Sequence, residues 1–258
     1  MQGNVERLYV LHGGYAVQPN RAVYTPGRWA GEQIVLPCNA YLLRRRGEWI
    51  LWDTGSEDAL AFEPGGRIIA HGLRGIVVRT MAEQLAEIGI GPADIARVIL
   101  SHGHFDHIGN ANLFPHALWH MQRLEHEGMF GREPGEHGYV PALYSGLQGS
   151  QFDLLDGDRD LFGDGSVRVI FTPGHTPGHS SLLVRLAETG PVLLAADVAH
   201  YAYNLEHRCV PAFNADAELS RASMDRIEEV ARQEGARIWL NHDAIHSARN
   251  PRAPAYLG

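Results

Sequence analysis

Seven consecutive residues, Ser101-His102-Gly103-His104-Phe105-Asp106-His107, contain three histidines and an aspartate. In an extended loop, residues i and i+2 point the same way. His102 and His104 can therefore grip one ion, while Asp106 and His107 turn toward a neighbouring point. Imidazole and carboxylate together suit zinc, and also iron, manganese or cobalt. For an isolated His-x-His, an inert polar loop is the better reading. For His-x-His-x-Asp-His behind an apolar strand, metal binding is. Metal-competent side chains recur downstream, each just past a strand-like run. His175 lies in Thr172-Pro173-Gly174-His175-Thr176-Pro177-Gly178-His179, where proline and glycine set a tight loop. Asp197 follows the apolar run 192–196, and His242 follows a strand ending at Leu240. Among the other histidines, His116, His120, His126, His137, His179 and His246 read as surface or internally satisfied groups.

Positioning these side chains falls to alternating strands and helices. Val98-Ile99-Leu100 reads as the end of a buried strand, 96–100, that delivers the metal motif. Residues 108–113 read as a short helix, with Asp106 near its start, where an acidic residue is favoured. Residues 6–11 form a first strand, and 12–32 a long loop. Segments 33–43 and 48–52 pair as a hairpin through Arg46-Gly47. Residues 56–78 look irregular. Thr80-x-x-Glu83 is a capping box that opens a helix ending near Gly89. Strands are expected at 117–120, 167–171, 181–186, 192–196 and 237–240. Residues 217–234 form an amphipathic helix with Leu219, Ala222, Ile227, Val230 and Ala231 on its apolar face. Strands then a helix, twice over, suggest two sheet-plus-helix halves facing each other.

Composition excludes several functions. The 258 residues suffice for one large domain, 1–258, with a full core. A net charge of -8 argues against nucleic acid, which needs a basic surface. Arg44-Arg45-Arg46, the one dense basic run, reads as a solvated turn. No apolar stretch is long enough to span a bilayer, and the N-terminus lacks a signal-peptide pattern, so cytoplasmic location is expected. Cys38 and Cys209 lack Cys-x-x-Cys spacing and read as reduced, buried thiols rather than a disulfide or a metal site.

His102-Gly103-His104-Phe105-Asp106-His107, His175, Asp197 and His242, in that order after Asp53-Thr54-Gly55, resemble the metallo-β-lactamase superfamily. The resemblance implies an α+β chain folded as an αβ/βα sandwich, four layers with two facing β-sheets and the site at one edge between them. It implies two divalent metal ions, zinc foremost, with iron, manganese or cobalt as alternatives. His102, His104 and His175 would hold one ion. Asp106, His107 and His242 would hold the other, and Asp197 would bridge them. Asp53 would orient a ligand histidine, as groups behind metal ligands commonly do; a simple strand-end turn is its alternative.

Asp197 narrows the resemblance. True zinc β-lactamases carry cysteine or a non-ligating residue there, whereas a bridging aspartate is typical of hydrolases acting on thioesters, lactones and phosphoesters. Among these the sequence looks most like N-acyl-homoserine lactonases and the related pyridoxolactonases. That implies a small lactone or ester substrate opened by a metal-bridging hydroxide, with neither nucleic acid nor membrane as partner and a homodimer as the possible assembly. Asp106 would shuttle the proton. The lactonases commonly place tyrosine three residues after the bridging aspartate; here that residue is His200, with Tyr201 and Tyr203 beside it. His200 or Tyr201 would donate to the oxyanion, and an imidazole would titrate near neutrality. The pocket wall is expected from residues 15–35, 62–73 and 139–144, including Trp29, Phe62, Ile69, Tyr139 and Tyr144. Thioesterase and phosphotriesterase activity stay open. A non-catalytic metal-fold scaffold and a nuclease are the readings from other classes.

Overall fold

The computed structural model describes residues 3–70 and 72–258. Met1 and Gln2, which open the N-terminal stretch read above, lie outside the described residues, as does His71 within 62–73. Strands β1 (Arg7–Gln18), β2 (Ile34–Arg45), β3 (Glu48–Trp52), β4 (Arg67–Ala70) and β5 (Leu73–Ile76) are followed by helix α1 (Met81–Ile88). Then come β6 (Ile95–Ile99), α2 (Phe105–Ile108), β7 (Leu118–Gln122), α3 (Arg123–Phe130) and β8 (Gln151–Leu155). The second half holds β9 (Arg159–Asp160), β10 (Val167–Phe171), β11 (Ser180–Leu186) and β12 (Gly190–Leu194). It continues with α4 (Ala202–His207), α5 (Ala217–Glu234), β13 (Arg237–Trp239) and α6 (Ala244–Arg249). The larger sheet runs β4-β5-β1-β2-β3-β6-β7-β8, antiparallel up to β3 and parallel from β3 to β8. The smaller runs β13-β12-β11-β10-β9, with only β12 and β13 parallel.

Successive side chains on a strand face opposite ways, and here both faces of each sheet are covered. Leu8, Val10, Tyr41 and Leu43 pack between the sheets against Val169, Leu182, Val184 and Leu194. Their neighbours Tyr9, Leu11, Ala40 and Leu42 face outward, into the layer that holds Leu85 of α1 and Met129 of α3. On the far side, Leu183 and Leu193 meet Met224 and Ile227 of α5. This is the expected helix–sheet–sheet–helix sandwich. Among the described residues, no helix is long and apolar enough to cross a membrane.

The 34–52 hairpin, the capping box and α5 form where the pattern places them. Thr80 N donates to Glu83 Oε2 at 2.8 Å and Glu83 N to Thr80 Oγ1 at 3.1 Å, and the helix stops at left-handed Gly89. Several expectations need correction. Residues 12–18 are not loop but the second half of β1, which continues past an irregularity between His12 and Tyr15 that hides its alternation. Strands β4 (Arg67–Ala70) and β5 (Leu73–Ile76) pair antiparallel where an irregular stretch was expected. The helix expected at 108–113 begins at Phe105 instead, and only a 3-10 turn occupies Ala111–Leu113. Helix α3 was not anticipated. On α5, Leu219 is 46% exposed; Ser220, Met224, Ile227 and Ala231 form the buried stripe. In the arginine run, Arg45 is buried and paired with Asp164 at 2.5 Å, so only part of that turn is solvated.

Candidate metal centre

Every expected ligand stands just past the C-terminal end of a strand, or one turn beyond it. Chain leaving β3 turns through Asp53, whose φ of 57° is left-handed. Its carboxylate accepts from Ser101 N (2.7 Å) and Ser101 Oγ (2.8 Å) and contacts His107 Nδ1 at 2.8 Å. Past β6, His102 and His104 lie in extended chain, and α2 begins at once, with Asp106 in its first turn. His175 follows β10, Asp197 follows β12 and His242 follows β13.

In four of the five expected ligand histidines, the outer nitrogen already faces an acceptor. His104 Nε2 faces the His137 carbonyl at 2.8 Å, and His242 Nδ1 faces that of Pro37 at 2.8 Å. His175 Nδ1 faces Asn214 Oδ1 at 3.0 Å, and His107 Nδ1 faces the Asp53 carboxylate. Each of these partners is an acceptor, so the imidazole donates with that nitrogen and, when neutral, bears a lone pair on the other. Those lone pairs converge. His104 Nδ1 lies 3.0 Å from His102 Nε2 and 2.9 Å from His175 Nε2. Asp197 stands between the two groups. Its Oδ2 is 3.4 Å from His175 Nε2 and 3.3 Å from His242 Nε2, and its Oδ1 is 3.1 Å from His107 Nε2 and 3.0 Å from His242 Nε2. Asp106 Oδ2 lies 3.6 Å from His242 Nε2. His107 Nε2 and Asp197 Oδ1 are buried with no hydrogen-bond partner among the described residues. Buried acceptors facing acceptors repel unless a cation lies between them, so the donor set fits a metal centre.

Protonation follows the same logic. Burial lowers the pKa of His102, His104 and His175, keeping them neutral. Burial also opposes charge on His242, but Asp197 and Asp106 outweigh it and raise its pKa to about 9. Protons gather where the carboxylates ask for positive charge.

Comparison with known proteins agrees. Residues 34–238 match the family model of the metallo-beta-lactamase superfamily. The chain belongs to this superfamily. An N-acyl homoserine lactonase of a Bacillus species is 32% identical, covering 98% of this chain and 99% of its own. The N-acyl homoserine lactonase AttM of Azorhizobium caulinodans is 30% identical, covering 97% and 98%. Among solved structures, an N-acyl homoserine lactone hydrolase with the product N-hexanoyl-L-homoserine bound at its catalytic metal center superposes with a TM-score of 0.86 at 27% identity. That match covers 98% of this chain and 100% of the other.

A cavity of about 290 Å³ opens onto this superfamily centre. Asp106, His175, Asp197, His200 and His242 form its polar floor, and Val23, Tyr24, Leu73, Phe105 and Phe213 its apolar walls. Stretches 15–35 and 62–73 do contribute, but the aromatic residues expected to do so stand elsewhere. Trp29 is held under the Arg21 guanidinium at 3.6 Å and against Tyr203. Phe62 is 79% exposed, and Ile69 packs toward Gly75. Tyr139 is buried behind His104, and Tyr144 is buried in the outer core, donating its hydroxyl to the Met129 carbonyl at 2.8 Å. From this region, 135–138 line the cavity instead. Tyr201 is turned away too: its hydroxyl meets Thr25 Oγ1 and accepts from Arg21 Nε at 3.3 Å.

His200 is at the floor. Its Nε2 lies 3.3 Å from Asp197 Oδ2, and its ring stacks on His242 with centroids 5.3 Å apart. Burial lowers its pKa to about 3, so it does not titrate near neutrality as an exposed imidazole would.

Three further residues support the centre: His179 was expected to be internally satisfied and Cys38 to be a buried thiol, and only Glu125 carried no signal in the sequence. His179 accepts from Asp197 N at Nε2 (3.0 Å), fixing the loop that carries the shared carboxylate. Cys38 Sγ lies 3.3 Å from Asp106 Oδ2. Glu125, fully buried on α3, accepts from Gly103 N (2.8 Å), Thr176 Oγ1 (2.7 Å) and Gly178 N (3.1 Å). It ties the His102–His104 loop to the His175 loop. Gly103 and Gly178 are the visible trace of this packing: a Cβ at Gly103 would meet Met129 and Tyr139 at 2.8–2.9 Å, and one at Gly178 would strike Glu125 itself. Glu125→Ala strands three buried donors, at about 1–3 kcal/mol for each left unpaired. The variant should melt earlier and bind metal more weakly in a chelator competition. An unchanged melting temperature and metal affinity would deny Glu125 this role.

Proposed function

We infer that this metal-dependent hydrolase of the metallo-β-lactamase superfamily holds two divalent ions and opens a lactone ring, with an N-acyl-homoserine lactone as its substrate. The observation that carries this reading is the place of Asp197 between the two clusters, with Oδ2 3.4 Å from His175 Nε2 and Oδ1 3.1 Å from His107 Nε2 and 3.0 Å from His242 Nε2. The lactonases it resembles along nearly its whole length add the substrate class. His102, His104 and His175 would hold one ion, Asp106, His107 and His242 the other, with Asp197 shared. The nitrogen and oxygen donors suit zinc first, and also iron, manganese or cobalt. Bound there, the ions supply a water acidified toward neutrality and a polarised ester carbonyl.

The chain's own groups do the rest. Asp106, the carboxylate at the cavity floor that is not shared between clusters, takes the proton of the attacking water and returns it to the alkoxide as the ring opens. His200 stays neutral and keeps one N–H. That N–H, aimed across the floor toward Asp197, donates to the carbonyl oxygen as charge develops there. Val23, Leu73 and Phe213 give an acyl chain an apolar seat and exclude water from the reacting ester.

A substrate panel on the metal-loaded enzyme tests this reading. Values of kcat/KM would be compared for acyl-homoserine lactones, other lactones including a pyridoxolactone, a glutathione thioester, a phosphotriester and a β-lactam. An acyl-homoserine lactone should be the best substrate. A thioester or phosphotriester turned over far faster than any lactone would overturn the assignment.

A further inference from the structure

Among the described residues, Cys38 brings a sulfur to the centre. It sits on β2, 1% exposed, and its Sγ lies 3.3 Å from Asp106 Oδ2. The preceding residue, Pro37, offers the carbonyl that orients His242 at 2.8 Å. The same short run of β2 therefore fixes one imidazole of the centre and aims a thiol beside it. Donor atoms of Cys38, Asp106 and His242 all lie within 4.8 Å of one another, and all three residues are buried. Independently, His107 Nε2 and Asp197 Oδ1 lie 3.1 Å apart, fully buried and without hydrogen-bond partners among the described residues. They face His242 as well, through Asp197 Oδ1 at 3.0 Å. A cation is wanted on this side of the centre, and the sulfur borders it. Asp106 and His242 line the cavity, whereas Cys38 does not. The thiol thus comes from the β2 side and leaves the substrate side free.

We propose that Cys38 is a further ligand of the ion held by Asp106 and His242, adding a thiolate to a set otherwise made of nitrogen and oxygen. This rests on the reading of two ions per chain. The thiol loses its proton to solvent as the sulfur–metal bond forms; nothing is oxidised or reduced. A soft donor biases this position toward zinc or cobalt and away from manganese, which prefers oxygen. The two positions would then differ in metal preference, although the shared Asp197 joins them.

The test uses the full chain, stripped of metal and reloaded with Co(II). Elemental analysis gives the number of ions, visible d–d bands report a protein-bound Co(II), and a near-ultraviolet charge-transfer band reports thiolate on Co(II). The unaltered protein should take up about two ions per chain and show the charge-transfer band. Cys38→Ser and Cys38→Ala should abolish it, while Cys209→Ala should keep it. A lost ligand should also weaken one ion at least as much as losing a supporting partner does, roughly 10- to 100-fold in a chelator competition. Two ions and d–d bands without charge transfer in the unaltered protein would overturn the proposal while leaving the dinuclear reading intact. A band that survives in Cys38→Ala would do the same. Uptake of one ion or none would overturn the dinuclear reading, and the proposal with it.

Discussion

Asp106→Asn should lower kcat by roughly 10²- to 10⁴-fold, the usual contribution of a positioned general acid–base, while metal content stays near that of the unaltered enzyme. The asparagine amide keeps an oxygen where Asp106 Oδ2 stands, 3.6 Å from His242 Nε2, so a donor to the metal remains. What the amide lacks is a carboxylate oxygen that can take up a proton and give it back. Asp197 cannot substitute, because both its oxygens are engaged, Oδ2 by His175 and His242 and Oδ1 by His107 and His242. Because the proton moves only in the transition state, kcat and kcat/KM should fall together. The measurement pairs steady-state kinetics with elemental analysis. A variant that retains near-normal kcat would remove Asp106 from proton transfer. One that loses both metal and activity would make it a ligand before anything else.

The centre was legible in the sequence because its ligands sit at strand ends, where an apolar run stops and a short polar loop begins. Val98-Ile99-Leu100 before His102, and 192–196 before Asp197, announce both the strand and the side chain it delivers. The capping box at Thr80 and the 217–234 helix were legible for the same reason: their signals are local. The second half of β1 was not, because the irregularity at His12–Tyr15 breaks its alternation. The pairing of β4 with β5 was hidden by the glycines around it and by the short length of the two strands.

Contacts that close the site across long sequence distances left no spacing to read. Cys38 meets Asp106 across 68 residues, and Glu125 meets Thr176 across 51. Aromatic residues in loops misled for a related reason: apolarity says that a ring will be covered, but not by what. Arg21 covers Trp29, the outer core takes Tyr139 and Tyr144, and Phe62 stays in solvent. The cavity wall fell instead to Val23, Leu73 and Phe213. Gly103 and Gly178 were a clue in plain view, since glycine beside a metal histidine can mark an element packed too close for a Cβ.

His200→Ala should lower kcat and kcat/KM together by roughly 10- to 1000-fold, the cost of one donor to a developing oxyanion. Three residues near Asp197 were candidates for this donor, and their surroundings separate them. Tyr201 has its hydroxyl engaged by Thr25 and Arg21. Tyr203 stacks on His207 with ring centroids 3.9 Å apart and packs against Trp29. Only His200 lines the cavity, with Nε2 on the floor beside Asp197. Tyr201→Phe and Tyr203→Phe should therefore leave kcat within a few-fold of the unaltered enzyme, and His200→Ala should still bind its metals, because His200 is not among the seven expected ligands. The pH profile adds a second check. Burial holds His200 at a pKa of about 3, far below the ordinary imidazole range, so its N–H is present throughout the neutral range. Replacing it should scale the profile between about pH 5 and 8 downward without removing an inflection from it. Unchanged kcat in His200→Ala, with a large loss in Tyr201→Phe or Tyr203→Phe, would give the role to that phenol. A lost inflection near neutrality would show that His200 titrates after all, and that the buried, neutral imidazole described here is not the working form.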